Sequence, residues 1–240
     1  MIFLKRIFDI FASLSALIML SPVLLLLCLA IWLQDFSSPI YFSKRVGQDG
    51  KEFKMLKLRS MVANAENSGV LSTSSRDKRI TPLGHFVRRY KFDEILQLIN
   101  VIQGDMSLVG PRPNVISEVA LYTPTEKGLL SVRPGITDLA SIVFSDEGDI
   151  LRESSDPDWD YMRLIRPGKS ELGIFYVENR SLFFDFQIVI LTLLNLFSRK
   201  SALLRISRIL VSLNAPHSLS ALALRDSPLE PRDPPGFLKS

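Results

Sequence analysis

Residues 92–113 read FDEILQLINVIQGDMSLVGPRP. Two adjacent acids, Asp93 and Glu94, follow the basic run Arg88, Arg89 and Lys91 and open an apolar segment that closes on a Gly- and Pro-rich turn. Ile95, Leu96, Leu98, Ile99 and Ile102 recur at helical spacing, so the pattern predicts a helix over 93–103 with a broad buried face and Gly104 as its stop. Acids in a first helical turn favour the positive end of the dipole, and capping alone is the common reason for such a pair. A chemical use is also open. Successive helix residues diverge by about 100°, so the two carboxylates suit two jobs: one can attack an electrophilic phosphorus while its neighbour holds a divalent cation. Mg²⁺ is the natural ion, because its hard ligands are carboxylate and phosphate oxygens. Arg112 lies between Pro111 and Pro113, which restrict its direction, and its planar fork can bind phosphate oxygens in two places. The plainer role for it is a surface arginine in a rigid turn.

Upstream, the chain from Ile7 to Leu33 is apolar but for Asp9 and long enough, as a helix, to cross a bilayer core. No small-residue cleavage site precedes Gln34, so the segment is retained. Two features argue against a plain span. Ser21-Pro22 falls near its middle, where proline removes a helical hydrogen bond; Ser21 can bond the carbonyl so freed. Basic residues also crowd both ends: Lys5 and Arg6 before it, Lys44, Arg45, Lys51, Lys54, Lys57 and Arg59 after it, which draws both to the cytoplasm. A span and a re-entrant hairpin both stand on this reading.

Charged residues make up only 22% of the chain and mean hydropathy is +0.20, which suits a membrane-associated protein better than a freely soluble or polytopic one. A net charge of +4 favours anionic partners. Cys28 is the single cysteine, which excludes an intrachain disulfide and a cysteine-built zinc cluster. PIYFSKRVGQDGKEFKMLKLRSM (39–61) has an Asp49-Gly50 turn between branched and aromatic runs and predicts a β-hairpin. NAENSGVLSTSSRDKRITPLG (64–84) reads as a mobile loop beside a site. Segments 183–197 and 202–213 pair apolar stripes with Arg199, Lys200, Arg205 and Arg208 and read as interfacial helices. From Pro216 the prolines at 228, 231, 234 and 235 predict a mobile tail. His85 and His217 lack a metal-ligand pattern, and no aromatic-interleaved basic motif points to nucleic acid.

The run DEILQLINVIQGDMSLVGPRP, with KRIFDI at 5–10, the Ser21-Pro22 break, RVG at 45–47, KLRSM at 57–61, RPGIT at 133–137 and FYVENRSLFFD at 175–185, resembles the bacterial sugar transferases in their minimal, single-anchor form. These are monotopic phosphoglycosyl transferases of the undecaprenyl-phosphate type. The resemblance implies a mainly α fold with a small β-hairpin: a re-entrant membrane helix hairpin (1–36) and a cytoplasmic interfacial α/β catalytic domain (37–214) on the bacterial inner membrane, followed by the proline-rich tail (215–240) read above. It implies transfer of a sugar 1-phosphate from a UDP-sugar to polyprenol phosphate with release of UMP, initiating glycan assembly, with Mg²⁺ as cofactor. By that likeness Asp93 is the nucleophile that holds the sugar phosphate, Glu94 the Mg²⁺ ligand and Arg112 the diphosphate clamp. Arg59, Lys57, Arg88, Arg133 and Asp185 are further substrate-binding positions. A non-catalytic membrane-anchored lipid-binding module is the competing reading.

This sequence departs from the family in two places. Ile95 and Leu96 replace Leu-Pro after the acids, which keeps the helix. After RPGIT, residues 138–164 read DLASIVFSDEGDILRESSDPDWDYMRL and lack the family's Asn-Gly-Arg, which leaves nucleotide-sugar choice open. Arg152 or Arg163 can replace that arginine, and Asp146, Glu147 and Asp149 can contact sugar hydroxyls or form a solvated acidic loop.

Overall fold

The computed structural model describes residues 2–65 and 77–237. Most of the loop expected at 64–84 lies outside them. The first element, α1 (Ile2–Asp35), is one continuous helix with Pro22 inside it. Proline removes the partner of the Ile18 carbonyl, and Ser21 Oγ donates to that carbonyl at 2.8 Å. Helical structure therefore continues through the proline, and the segment is one helix in place of two joined by a turn. Asp9, Ser13, Leu27 and Ile31 are buried along one stripe, while Phe11, Ile18, Met19, Leu25 and Leu26 point away from the protein. Among the described helices α1 alone is long and apolar enough to cross a membrane.

Both ends of α1 are fastened to the rest of the chain. At the start, Lys5 Nζ lies 2.6 Å from Asp185, Arg6 donates to the Val101 and Ile102 carbonyls, and Ser107 Oγ donates to Asp9 at 2.8 Å. At the end, Arg59 holds Asp35 at 2.6 Å and also donates to the Ile31 and Ser37 carbonyls.

The hairpin is as expected. Strand β1 (Ile40–Val46) pairs antiparallel with β2 (Glu52–Leu58), Ile40 opposite Leu58 and Val46 opposite Glu52. Asp49 and Gly50 make the turn at φ +57° and +74°, the left-handed region that Asp tolerates and Gly favours. Helix α2 (Pro82–Arg89) follows, with Thr81 capping its first turn through Gly84 N–H. The helix predicted over 93–103 begins later than expected. Lys91 is left-handed (φ 60°) and Phe92–Glu94 form a 3-10 turn, so α3 proper is Gln97–Gln103, ended by left-handed Gly104.

Strand β3 (Ser107–Val109) pairs in parallel with β4 (Gly135–Thr137) across the short helix α4 (Ile116–Val119). This pairing brings VGPRP against RPGIT. A Cβ on Gly135 would lie 2.1 Å from the Gly110 nitrogen, so only glycine permits the approach. Residues 138–164 are not a solvated acidic loop; they form α5 (Leu139–Val143), α6 (Glu147–Ile150), α7 (Pro157–Asp160) and a π-turn at Tyr161–Ile165. Asp138 caps α5 in a reciprocal box with Ser141.

Then come α8 (Arg166–Asn179), α9 (Leu182–Phe197), α10 (Arg199–Ser212) and α11 (His217–Leu224). The main core joins α5, α8, α9, α10 and α11 through residues such as Val143, Leu172, Ile188, Ile206 and Ala223. Helix α9 leaves Phe183, Phe186, Ile190, Leu193 and Phe197 exposed at helical spacing, as an interfacial helix would. The same expectation fails for α10, whose stripe of Ala202, Leu203, Ile206 and Leu210 is spent on the core. The expected mobile tail is also corrected. Pro216 precedes α11, where a fixed φ does no harm, and Leu219 and Ala223 supply a buried face. Beyond it Arg232 N–H bonds the Arg163 carbonyl at 3.1 Å and Thr123 Oγ bonds the Pro235 carbonyl at 2.6 Å. The prolines shape a strap.

Candidate active site

A cavity of about 1020 Å³ opens between the hairpin, the 3-10 turn, the VGPRP turn and helices α5 to α9. Lys57, Arg88, Asp93, Glu94 and Arg112 all line it, so five of the expected site residues converge. Phe92 makes this possible: it sits between the acids' turn and α2, its ring 5.9 Å from Phe86 and 6.0 Å from Tyr90, while the next two side chains face the cavity.

The two carboxylates sit in opposite electrostatic settings. Asp93 is 9% exposed and its Oδ1 has no hydrogen-bond partner among the described groups. Burial pushes its carboxyl up, the neighbouring Glu94 charge adds to this, and Lys57 and Lys91 oppose it only in part. For Glu94 burial also pushes upward, but Arg112 Nη2 at 2.6 Å, with Lys91 and Lys57, outweighs it and pulls the carboxyl down to about 2. Arg112 is raised in return, chiefly by Glu94. Its own backbone N–H donates to Asp138 Oδ2 at 3.3 Å, which ties the Pro-Arg-Pro turn to the α5 cap. Lys57 is pulled down to about 8, first by burial and then by the Arg112 charge. Glu94 is thus a fixed anion paired to a fork, while Asp93 is a basic carboxylate with a spare oxygen.

Three expected site residues are elsewhere. Arg59 is used at the end of α1 on Asp35. Arg133 donates to the Gly104 carbonyl. Asp185 is buried against Lys5 and accepts a 2.6 Å bond from Tyr176 Oη, so it anchors the start of α1. Arg152 pairs with Asp149, and Arg163 lies over the Trp159 ring; neither lines the cavity as a substitute arginine. Arg45, Glu118, Tyr161 and Lys169, none of them expected here, also line it. Arg45 stood in the quoted RVG motif, but the other three carry no local signal.

No group of three or more His, Cys, Asp or Glu suited to a metal occurs among the described residues. Mg²⁺ commonly takes one or two protein carboxylates and completes its shell with substrate phosphate and water, and the unpartnered Asp93 oxygen beside Glu94 fits that kind of site.

Residues 1–199 match the family model described as bacterial sugar transferase. The chain belongs to the bacterial sugar transferase family. Among similar members, the exopolysaccharide production protein PSS of Rhizobium leguminosarum bv. phaseoli is 39% identical over 208 residues, covering 82% of this chain and 96% of that protein. The UDP-glucose:undecaprenyl-phosphate glucose-1-phosphate transferase of Escherichia coli (strain K12) is 34% identical over 203 residues, covering 83% and 41%. A putative undecaprenyl-phosphate N-acetylgalactosaminyl 1-phosphate transferase of Bacillus subtilis (strain 168) is 44% identical over 110 residues, covering 46% and 62%. This sugar transferase chain spans about 40% of the length of the first curated relatives it matches.

Proposed function

We propose that the protein transfers a sugar 1-phosphate from a UDP-sugar to polyprenol phosphate, releasing UMP, through a phosphosugar held on Asp93. The observation that carries this is the division of labour between the acids: Glu94 locked by Arg112, Asp93 basic and with an unpartnered oxygen in the same cavity. In the first displacement an Asp93 oxygen bonds the β-phosphorus and the bond from that phosphorus to the bridging oxygen breaks, so UMP leaves with the electron pair. In the second, a polyprenol-phosphate oxygen bonds the same phosphorus and the acyl phosphate bond breaks, returning Asp93 as a carboxylate. Arg112, Lys57 and Arg88 supply positive charge to the phosphoryl oxygens, where charge accumulates during displacement. Mg²⁺, held by Glu94 with Asp93 nearby, would neutralise the diphosphate and ease departure of UMP.

The names of the relatives support the donor and acceptor classes, glucose and N-acetylgalactosamine donors among them. The ties at both ends of α1 to one domain support a re-entrant helix, with that domain on the cytoplasmic face of the inner membrane. After Cys28→Ser, cysteines placed singly at Phe3 and at Asp49 should both resist an impermeant thiol reagent in intact cells; labelling at Phe3 alone would make α1 a span.

The chemistry is tested by mixing the purified protein with Mg²⁺ and radiolabelled UDP-sugars, with and without polyprenol phosphate. With donor alone, UMP should appear in amounts stoichiometric with protein and label should stay on Asp93; Asp93→Asn should do neither. Full turnover without any labelled protein would refute the covalent route.

A further inference from the structure

A second polar wall faces the same cavity, away from the acid pair. Glu118 Oε1 accepts from Asn114 Nδ2 at 2.9 Å and from Tyr161 Oη at 3.2 Å. Lys169 pairs with Glu147 and lies 5.1 Å from the centre of the Tyr161 ring. The end of β1 docks here through Val46 N–H to the Asn114 carbonyl at 3.0 Å, which brings Arg45 alongside. Arg45 feels both Arg112, as a repelling charge, and Glu118, as an attracting one, so it bridges the phosphate-binding pole to this wall. Tyr161 opens a π-turn, a winding frequent at functional sites.

We propose that Glu118, Tyr161, Lys169 and Glu147, with Arg45 and Asn114, form the glycosyl subsite, and that it selects an uncharged hexosyl group over a uronic acid. The inference rests on the transfer reading above and names the part of the donor this wall receives. The glycosyl ring is joined to the β-phosphate through one oxygen, so it must sit next to the phosphate pole, where this wall begins. Acceptors (two carboxylates) alternate with donors (an ammonium, a guanidinium, an amide and a phenol). Ring hydroxyls give one hydrogen bond and accept others, and so match such a mixture. Uracil presents one N–H between two carbonyl oxygens, so two carboxylates would share a single donor and repel the oxygens on either side of it. A polyprenol chain offers nothing to these groups. The two carboxylates already match the two cations, Glu147 with Lys169 and Glu118 with Arg45, so a uronate would add a third carboxylate with no cation of its own.

Affinities of UDP-glucose, UDP-galactose, UDP-N-acetylglucosamine, UDP-N-acetylgalactosamine, UDP-glucuronate and UMP are measured by calorimetry on the non-transferring Asp93→Asn protein, and kcat/KM for UMP release on the active one. An uncharged donor should bind at least about tenfold more tightly than UDP-glucuronate. Glu118→Gln should weaken that donor by about ten- to a hundredfold, as expected for hydrogen bonds to a charged acceptor, while leaving the UMP Kd unchanged. Tyr161→Phe should do the same to a smaller degree and serves if Glu118→Gln fails to fold. Equal losses for UMP and the sugar nucleotide would place uridine on this wall, and preference for UDP-glucuronate or unaltered donor affinity would also overturn the assignment. Donor binding without UMP release from the active protein would instead count against the transfer reading alone.

Discussion

Replacing Lys57 with methionine should make the protein more stable and inactive at once. The ammonium lies on the wall of a half-enclosed cavity beside Arg112, and burial together with that charge takes the lysine from 10.5 to about 8. At about 1.4 kcal/mol per pH unit, the cost of keeping it charged in the folded state reaches ~3 kcal/mol. Solvent reaches this half-buried side chain, which reduces the figure to ~1–2 kcal/mol. The sign follows from proton binding: between pH 8 and 10.5 the unfolded chain holds a proton that the folded one has released, so stability rises with pH there. The cost is therefore complete below pH 8 and fades by 10.5. Lys57→Met should raise Tm at pH 7 by about 2–8 °C, given 2–4 °C per kcal/mol for a chain of this size. At pH 9.5 about half of that gain should remain. Thermal unfolding in one detergent at one scan rate, at both pH values, measures it, alongside loss of UMP release. A Tm that falls, or a gain identical at the two pH values, would show that Lys57 is not held at electrostatic cost and would remove the reason to place it on phosphate.

Arg112→Lys keeps the charge but loses the fork that engages Glu94 and so should cut kcat/KM for UMP release at least tenfold, by about the 1.5–3 kcal/mol of a charged hydrogen bond; wild-type kinetics would return Arg112 to the surface. Lys5→Met strands buried Asp185 with only Tyr176 for a partner, so it should destabilise by the lower part of roughly 3–5 kcal/mol, and adding Asp185→Asn should recover much of it; a double variant no better than Lys5→Met would exclude the pair as an anchor. Truncation after Ala215 removes Arg225, which pairs with Asp146 at 3.2 Å on the cavity wall, so turnover and Tm should both drop; a fully active truncated chain would make the strap dispensable.

What the sequence disclosed was local. Asp49-Gly50 specifies its turn, Pro22 requires a substitute donor that Ser21 supplies, and Gly104 ends α3, because each depends on neighbours a few residues away. The convergence of Asp93, Glu94 and Arg112 was legible as a pattern, though the 3-10 turn set by left-handed Lys91 was not, since no propensity rule reserves that conformation for lysine. Charges with distant partners were misread. Arg59, Arg133 and Asp185 were read as substrate-binding positions because their partners in the fold, Asp35, Gly104 and Lys5, lie 24, 29 and 180 residues away. Glu118, Tyr161 and Lys169 meet only through packing of α4 on the far helices, and nothing near any of them in the chain announces it.

The clasp between Lys5 and Asp185 also sets an order of events during synthesis. At about 5–20 residues per second, a separation of 180 residues means that the amino group waits roughly 10–40 s for its carboxylate. Arg59 is made about 3–11 s into that interval and can then pair with Asp35, so the helix is secured at one end well before the other. Throughout the wait its outward row of Phe11, Ile18, Met19 and Leu25 has no protein to cover it. On the membrane reading proposed above, lipid would fill that role: the bilayer would be a holding surface on which the nascent chain is retained until α9 emerges, and delivery to it would precede completion of the cavity.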